Sequence, residues 1–281
     1  MITTRRIPST DPRLGRHVAH DDRSFDFAYP TAGLTLQSAK HTRRIDVLDQ
    51  GQVGSCTGNA GIGCLGTDPF YASLSGVVRV YTFGEEGARR LYSDAETIDG
   101  DGPYPPNDNG STGLSVAKAL KNAGEISGYQ HTFTLTDALL ALGQTPVITG
   151  VSWYEQMFTP DQDGRLRLGG ALAGGHEFVV DEIDAEQERV WMTNSWGTSW
   201  GLAGRAYLTF DDWGRLLKDQ GDVTVFTPLT SPAPTPTPPP ADPDQALAAV
   251  AHRWVRLPHT PIAGDAHMKT ALKAWLTAKG L

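Results

Sequence analysis

A thiol and two side chains that could activate it lie far apart in this chain. Cys56 follows the turn-forming pair Gly54-Ser55, and His176 and Asn194 lie in the second half of the sequence. A free thiol has a pKa of about 8.5, so it is mostly protonated at neutral pH and needs neighbours that favour the thiolate. An imidazole supplies a proton acceptor and a positive partner, and a carboxamide can fix the orientation of its ring. The three residue types therefore predict a thiolate nucleophile.

The residues around Cys56 favour the same chemistry. The break at Gly54-Ser55 predicts a helix that begins at Cys56, and a helix N-terminus carries a partial positive charge that stabilises a thiolate. Gln50 precedes the thiol and predicts an amide directed at the oxyanion, with the backbone N–H of Cys56 as the second donor. Taken alone, Cys56 could be a small buried hydrophobic residue, as Cys64 is expected to be. The combination favours catalysis.

Two segments carry a family resemblance. The first, residues 49–56, reads Asp-Gln-Gly-Gln-Val-Gly-Ser-Cys, and the second begins Asn194-Ser195-Trp196-Gly197. Together with His176 they resemble the papain family of cysteine peptidases, in which nucleophile, base and orienting amide follow in this order. The histidine and asparagine of that family lie roughly 130–150 residues after the cysteine, and here the histidine comes slightly early. The pattern looks most like the propeptide-less members seen in actinobacteria and their bacteriophages.

This chain departs from the local signature of the family, C-G-[SA]-C-[WY], at two positions. Val53 stands where the family has a disulfide cysteine, and Thr57 stands where it has an aromatic wall of the cleft. Neither change removes a catalytic group. The resemblance implies catalytic roles for Cys56, His176, Asn194 and Gln50, and substrate-binding roles for Asn109, Gly110, Gly175 and Trp196.

Two features of the predicted cleft stay open at this level. The segment 107–113 either lines the cleft and pairs with substrate backbone, as the resemblance implies, or forms a plain loop and helix N-cap. Glu177 follows the predicted base directly, and in a strand it would point to the face opposite His176. If it faced the cleft instead, its charge would favour the imidazolium and could select cationic groups of a substrate.

The order of elements predicts an α+β fold. Helices are expected at 56–65, Glu85–Asp94 and about Leu114–Ala123, and the glycines of the first helix predict close packing against another backbone. A helical half followed by a strand-rich half matches the papain-like two-lobe fold, with a helical lobe and an antiparallel β-barrel-like lobe. The strands are expected at 146–153, 165–168, 177–180, 190–193 and 205–210.

Composition divides the chain into four regions. An N-terminal extended arm (1–45) is too short and too little periodic to resemble the long inhibitory propeptide of many family members, so the sequence shows no obvious latent form. A Pro-rich linker connects the peptidase domain to the C-terminal module. The module is too small for a stable core of its own, so we expect it to dock on the catalytic lobe, another copy or a protein partner. The remaining boundaries are a papain-like peptidase domain (46–229, helical lobe about 46–130 and strand-rich lobe about 131–229), the linker (230–243) and a small helical C-terminal module (244–281).

Composition also excludes several classes of function. The net charge of −8 and the absence of a Lys/Arg run with interleaved aromatics argue against a nucleic-acid binder. No apolar run approaches a membrane span and no signal-peptide core follows the N-terminus, so we expect a cytoplasmic or virion-associated protein. Only two cysteines occur, which suits a reducing compartment. We expect no cofactor and no metal, because residues 161–164 start like a calcium loop but lack its later glutamate, and a hairpin turn is favoured.

Three functions agree with these observations. The first is a cysteine endopeptidase that hydrolyses polypeptides through an acyl-thioester on Cys56, with His176 as acid and base. The second keeps this chemistry but cleaves cell-wall peptide, the cross-bridges of peptidoglycan, with the C-terminal helices as a targeting module. The third is a catalytically silent structural or virion protein that retains the papain-like fold.

Overall fold

The computed structural model of the chain describes residues 2–9, 11–229, 273 and 275–277. The predicted linker and nearly all of the predicted C-terminal module lie outside the described residues. No helix among the described residues is long and apolar enough to span a membrane. The helices are α1 (Cys56–Leu65), α2 (Phe70–Ser73), α3 (Glu85–Asp99), α4 (Gly113–Asn122), α5 (Leu135–Leu142) and α6 (Phe210–Lys218).

Within the described part of the chain, two antiparallel sheets form. A hairpin-like pair, β1 with β2, lies in the N-terminal arm, and a seven-stranded sheet has the order β4-β9-β5-β6-β7-β8, with β3 paired to β6. The strands are β1 (Ile2–Arg5), β2 (Val18–Asp21), β3 (Ala39–Lys40), β4 (Gly128–Thr132), β5 (Val147–Tyr154), β6 (Leu172–Asp184), β7 (Arg189–Thr193), β8 (Arg205–Thr209) and β9 (Asp222–Thr227).

Local sequence explains where the helices begin and end. Thr112 caps α4 by accepting a hydrogen bond from the Ser115 backbone N–H at 3.1 Å, and Thr134 and Thr209 cap α5 and α6 in the same way. Helix α3 ends at Gly100, whose φ of 89° is in the left-handed region that glycine adopts without strain. Threonine N-caps thus mark the start of α4, α5 and α6, and a glycine marks the end of α3.

The predicted elements of the helical half are confirmed, with α3 longer than expected at its C-terminal end. The strand-rich half differs more. Residues 165–168 do not form a strand; they make an isolated bridge between Arg165 and Tyr207, because Gly164 (φ +88°) and Gly170 (φ +81°) bend the chain on both sides. Residues 161–164 form a tight turn closed by a 2.8 Å bond from the Gly164 N–H to the Asp161 carbonyl, although no strands flank it. Helices α5 and α6 and strands β4 and β9 were not predicted.

Helix α1 lies between the helices and the sheet, and all ten of its residues are buried. A Cβ at Gly58 would overlap the Ala88 carbonyl of α3, and a Cβ at Gly61 would lie 2.7 Å from side-chain atoms of Leu91 and Val116. The close packing that the glycines of α1 predicted is therefore present, and its partners are α3 and α4. One core cluster surrounds α1 on this side, and a second fills the space beneath the sheet around Trp153.

We expect Gly58→Ala to destabilise the protein even though alanine is the better helix former. The new methyl group has no space next to the α3 backbone, and overpacking of this kind costs about 1–3 kcal/mol, against a gain of at most ~1 kcal/mol from helix propensity. Urea denaturation measures the change in the free energy of unfolding. Gly143→Ala is the matched control, since a Cβ there meets its nearest atom at 3.4 Å. Equal effects of the two substitutions would contradict the packing argument.

Candidate active site

Cys56 is the first residue of α1, as predicted. The Ser55 carbonyl accepts the first helical hydrogen bond, from the Asn59 N–H at 2.9 Å, and no side chain caps the helix N-terminus. Burial raises the pKa of the thiol, and the backbone groups of Glu177, Gly15 and Thr57 that face the sulfur act against this increase. The thiol lies at the positive end of a buried helix.

His176 and Asn194 meet in the way that the sequence predicted. The imidazole Nε2–H donates to Oδ1 of Asn194 at 2.7 Å, and the same oxygen accepts from the Ser195 backbone N–H at 2.8 Å. The rings of Trp153 and Trp196 each lie 4.8 Å from the imidazole, centroid to centroid. The orientation of the histidine ring is fixed on two sides by aromatic packing and at one nitrogen by an amide.

Cys56 lies against the strand that carries His176, and Nδ1 of the imidazole has no hydrogen-bond partner among the described residues. The sulfur faces the N–H of Glu177, which directly follows His176 on β6. Helix α1 and β6 are in direct contact, and a Cβ at Gly63 of α1 would lie 2.9 Å from Val179 of β6. The contact between helix and strand thus brings the thiol and this strand together from distant parts of the sequence.

Gln50 is fully buried, and its amide is held at both ends. Its Oε1 accepts from the Ser195 hydroxyl at 2.7 Å, and its Nε2 donates to the carbonyls of Val53 at 2.6 Å and of Arg13 at 3.1 Å. The carbonyl of Arg13 is a peptide carbonyl from another part of the chain. The Gln50 amide therefore directs a donor at a peptide carbonyl, the geometry that an oxyanion donor requires.

Residues 13–17 of the N-terminal arm lie in the cleft. The backbone of this segment runs parallel to two neighbours, one on each side. The Gly15 carbonyl accepts from the Ser111 N–H, and the His17 N–H donates to the Ser111 carbonyl, each at 2.8 Å. On the other side the Arg16 N–H donates to the Gly175 carbonyl at 3.0 Å. This segment, which we call the cleft segment, pairs through its backbone as an extended peptide would.

The N-terminal arm, in which the sequence shows no obvious latent form, supplies the segment that fills the cleft. The cleft segment covers both candidate catalytic residues: the Gly15 backbone faces the Cys56 sulfur, and the Arg13 guanidinium lies 4.3 Å above the Trp196 ring. No periodic pattern marks a segment this short, because it binds through backbone hydrogen bonds and two arginine side chains. An extended run containing glycine is the only signal that the sequence offers.

The predicted substrate-binding residues lie at the cleft with one shift in register. Ser111, one residue beyond Gly110, makes the backbone pair with the cleft segment. Gly110 adopts a φ of +81°, and a Cβ there would overlap the Gly15 carbonyl. Asn109 contributes its carbonyl to the His17 ring at 2.5 Å. Segment 107–113 lines the cleft through Ser111 and caps α4 through Thr112, and its pairing with a substrate backbone stays a prediction.

The closed cleft keeps both candidate catalytic groups uncharged. Burial lowers the pKa of His176 to about 4, although the hydrogen bond to Asn194 raises it, and the Arg13 charge lowers it further. Burial raises the pKa of the Cys56 thiol to about 12, and the charge of Glu177 acts in the same direction. A neutral thiol beside a neutral imidazole is a poor nucleophile. While the cleft segment is in place, burial therefore opposes the formation of a thiolate–imidazolium pair.

Comparison with known proteins identifies the fold. No protein-family model and no curated protein matches the sequence. Xylellain, a cysteine protease from Xylella fastidiosa, matches with a TM-score of 0.63 at 19% identity, over 82% of this chain and 100% of that one. Procathepsin L 3 of the Tenebrio molitor larval midgut gives 0.52 at 16%, over 71% and 73%. Bromelain from Ananas comosus, solved with an inhibitor, gives 0.50 at 16%, over 69% and 100%. This chain has the papain-like cysteine protease fold, as the sequence predicted.

We expect Arg16→Gln to open the cleft. The Arg16 side chain is fully buried and pairs with Asp222, and removing one partner of a buried ion pair strongly destabilises the arrangement that contains it. Labelling of Cys56 by iodoacetamide, read by intact mass in the full chain, should be at least about tenfold faster than in the wild type. Arg44→Gln is the control, since Arg44 is half-exposed and pairs with Asp68 at the surface. Equal labelling rates in the two variants would exclude Arg16 as an anchor.

The pH dependence of stability should report the burial of His176. Its pKa is about 4 when folded and about 6.5 when unfolded. Between these values the unfolded chain binds the extra proton, so stability is lost as pH falls from 6.5 towards 4, by up to about 3 kcal/mol. His176→Gln removes this titration. The free energy of unfolding of the wild type should therefore decrease relative to that of His176→Gln as the pH is lowered from 7 to 4.5.

A constant difference across that range would show that the imidazole is not buried in the folded protein. Glu177 is also buried, and burial and the charge of Asp222 raise its pKa. Its effect on stability therefore changes with pH in the direction opposite to that of His176. Glu177 is present in both proteins. Its effect therefore cancels in the comparison.

Proposed function

We propose that this protein is a cysteine endopeptidase with Cys56 as nucleophile, His176 as acid and base, Asn194 as the orienting residue and Gln50 as oxyanion donor. The observation that carries the proposal is the peptide already in the cleft. Its Arg13 carbonyl accepts from the Gln50 amide, and its Gly15 backbone faces the Cys56 sulfur. The fold and the inhibitor complex of the bromelain structure agree with a peptide substrate.

The reaction begins when the cleft segment leaves. Exposure to water removes the burial that keeps both groups neutral, so the thiol proton passes to His176 and an ion pair forms. The thiolate attacks the carbonyl carbon of a substrate peptide bond. The resulting oxyanion is held by the Gln50 amide and the Cys56 backbone N–H.

His176 then donates its proton to the leaving amine, and the C–N bond breaks to leave an acyl-thioester on Cys56. Water replaces the amine in the cleft, and neutral His176 accepts a proton from it as its oxygen attacks the thioester. The C–S bond breaks as the acid product leaves, and the proton on His176 returns to the sulfur to restore the thiol. Asn194 holds the ring in the orientation that both proton transfers need.

The catalytically silent alternative is favoured by one observation, the filled cleft with its neutral thiol. It differs from the proposal in whether the cleft ever opens to a substrate. The cell-wall alternative depends on the C-terminal module, which lies outside the described residues. The origin in actinobacteria and bacteriophages, and the cytoplasmic or virion location, stay predictions.

The test of the proposal is covalent labelling and peptide hydrolysis by the full chain, with and without Arg16→Gln. An epoxysuccinyl probe should add once, to Cys56, and casein should be cleaved. Cys56→Ala should abolish both, and Cys64→Ala, which removes the other buried thiol, should preserve both. We expect the rate of hydrolysis to fall about 10²–10³-fold in Gln50→Ala, at least ~10²-fold in His176→Ala, and about tenfold in Asn194→Ala, the value of one hydrogen bond.

Labelling or cleavage in neither protein would favour the silent alternative. Release of new amines from purified cell wall, with casein left intact, would favour the cell-wall alternative. Labelling that survives Cys56→Ala would show that the wrong nucleophile has been assigned.

A further inference from the structure

An acidic pocket opens from the cleft beside Cys56. Its walls are Gly113, Gly150, Glu177 and Asp222, and the side chain that fills it is Arg16 of the cleft segment. Arg16 exposes none of its surface to solvent. Its Nη2 pairs with the Asp222 carboxylate and donates to the Gln220 carbonyl at 2.8 Å.

The two glycines provide the space for this side chain. A Cβ at Gly150 would lie 2.5 Å from Nε of Arg16 and 2.8 Å from Oε2 of Glu177. A Cβ at Gly113 would overlap Oε1 of Glu177. A side chain at Gly150 would take space that Arg16 and Glu177 occupy, and one at Gly113 would take space that Glu177 occupies.

The Glu177 side chain faces this pocket, which is the second of the two orientations considered from the sequence. It points away from His176 along β6, yet its side chain lines the cleft because the pocket lies on that side of the strand. The carboxylate is fully buried, and neither of its oxygens has a hydrogen-bond partner among the described residues. A buried, unpartnered carboxylate in a pocket that opens at the reaction site calls for a cationic ligand.

Arg16 satisfies this pocket incompletely. Its Nε and Nη1 have no hydrogen-bond partner among the described residues, and the arginine attracts Glu177 only through space. The guanidinium group has five N–H donors, enough for both carboxylates at once. An arginine that entered on a different backbone could therefore bond both Glu177 and Asp222 and displace Arg16.

We propose that the acidic pocket selects substrates with an arginine or lysine side chain close to the scissile bond. The inference rests on the proposed peptidase function. Ser111 and Gly175 hold the backbone on either side of Arg16, and a substrate strand that uses the same two partners places one of its side chains in the pocket. A leucine in that position would bury two carboxylates without a cation, whereas arginine would pair with both.

The test is hydrolysis of internally quenched peptides by the full chain, as wild type and as Arg16→Gln. One position at a time, within three residues of the scissile bond on either side, carries arginine, citrulline, lysine or leucine. Citrulline has the shape of arginine without its charge, so this comparison needs no change in the protein. At one position we expect kcat/KM for arginine to exceed that for citrulline by at least about tenfold, as for a close charge pair at an interface.

Variants of the pocket locate the effect. Glu177→Gln and Asp222→Asn should each reduce the arginine-to-citrulline ratio of kcat/KM by at least about fivefold. Glu186→Gln makes the same change in charge at an exposed turn residue and should leave the ratio unchanged. Because the two pocket variants are independent, one of them can fail to fold without removing the test.

Equal rates for arginine and citrulline at every position, or faster cleavage of leucine, would overturn the pocket assignment and leave the peptidase function standing. An arginine preference that persists in both pocket variants would place the selecting charge elsewhere and would also overturn it. Failure to cleave any peptide, with no adduct on Cys56, would overturn the proposed function and the inference with it.

Discussion

The rest of the structure depends on the complete burial of helix α1. A helix without exposed residues must be contacted on every side, and its glycines allow α3, α4 and β6 to approach its backbone closely. The helix N-terminus is then the only part that opens to the cleft, and Cys56 occupies it. Because β6 packs on the same helix, the residue after His176 reaches the sulfur with its backbone N–H. Packing that serves stability thus also places the Cys56 thiol against the strand residue that follows His176.

The loop opposite β6 is tied to the same framework. Asp108 accepts from the Gly54 N–H at 3.0 Å and from the Tyr92 hydroxyl at 2.7 Å, so it joins the turn before Cys56 to helix α3. Tyr92 in turn accepts from the Gly110 N–H at 2.8 Å. One carboxylate and one hydroxyl therefore hold both the turn before the nucleophile and the loop that pairs with a peptide. A shift of α3 would move both, which explains why the close approach at Gly58 matters for the cleft as well as for stability.

Sequence reasoning predicted the parts of the site that act through residue type. Thiol, imidazole and amide chemistry restricts the choice of side chain, so Cys56, His176, Asn194 and Gln50 could be selected from the sequence, and their catalytic roles stay predictions. The bounds of α1 followed from the turn before it. Ser111 was missed by one residue, because a backbone pair needs no particular side chain. The cleft segment was missed for the same reason. Helix α6 and strand β9 were missed because their apolar faces are short, and the pairing partners that stabilise them, such as β4 for β9, lie far away in sequence.

The cleft segment and the acidic pocket impose opposite demands on one arginine. Arg16 must bind well enough to keep Cys56 and His176 buried, yet in the proposed peptidase a substrate must be able to replace it. The pocket meets both demands because it leaves donors of Arg16 and both oxygens of Glu177 without partners. An occupant that used those atoms would bind more tightly than the chain's own segment, and its arrival would also expose the imidazole and the thiol to water. Recognition of the substrate and activation of the nucleophile are then the same event, because both require that Arg16 leave the pocket.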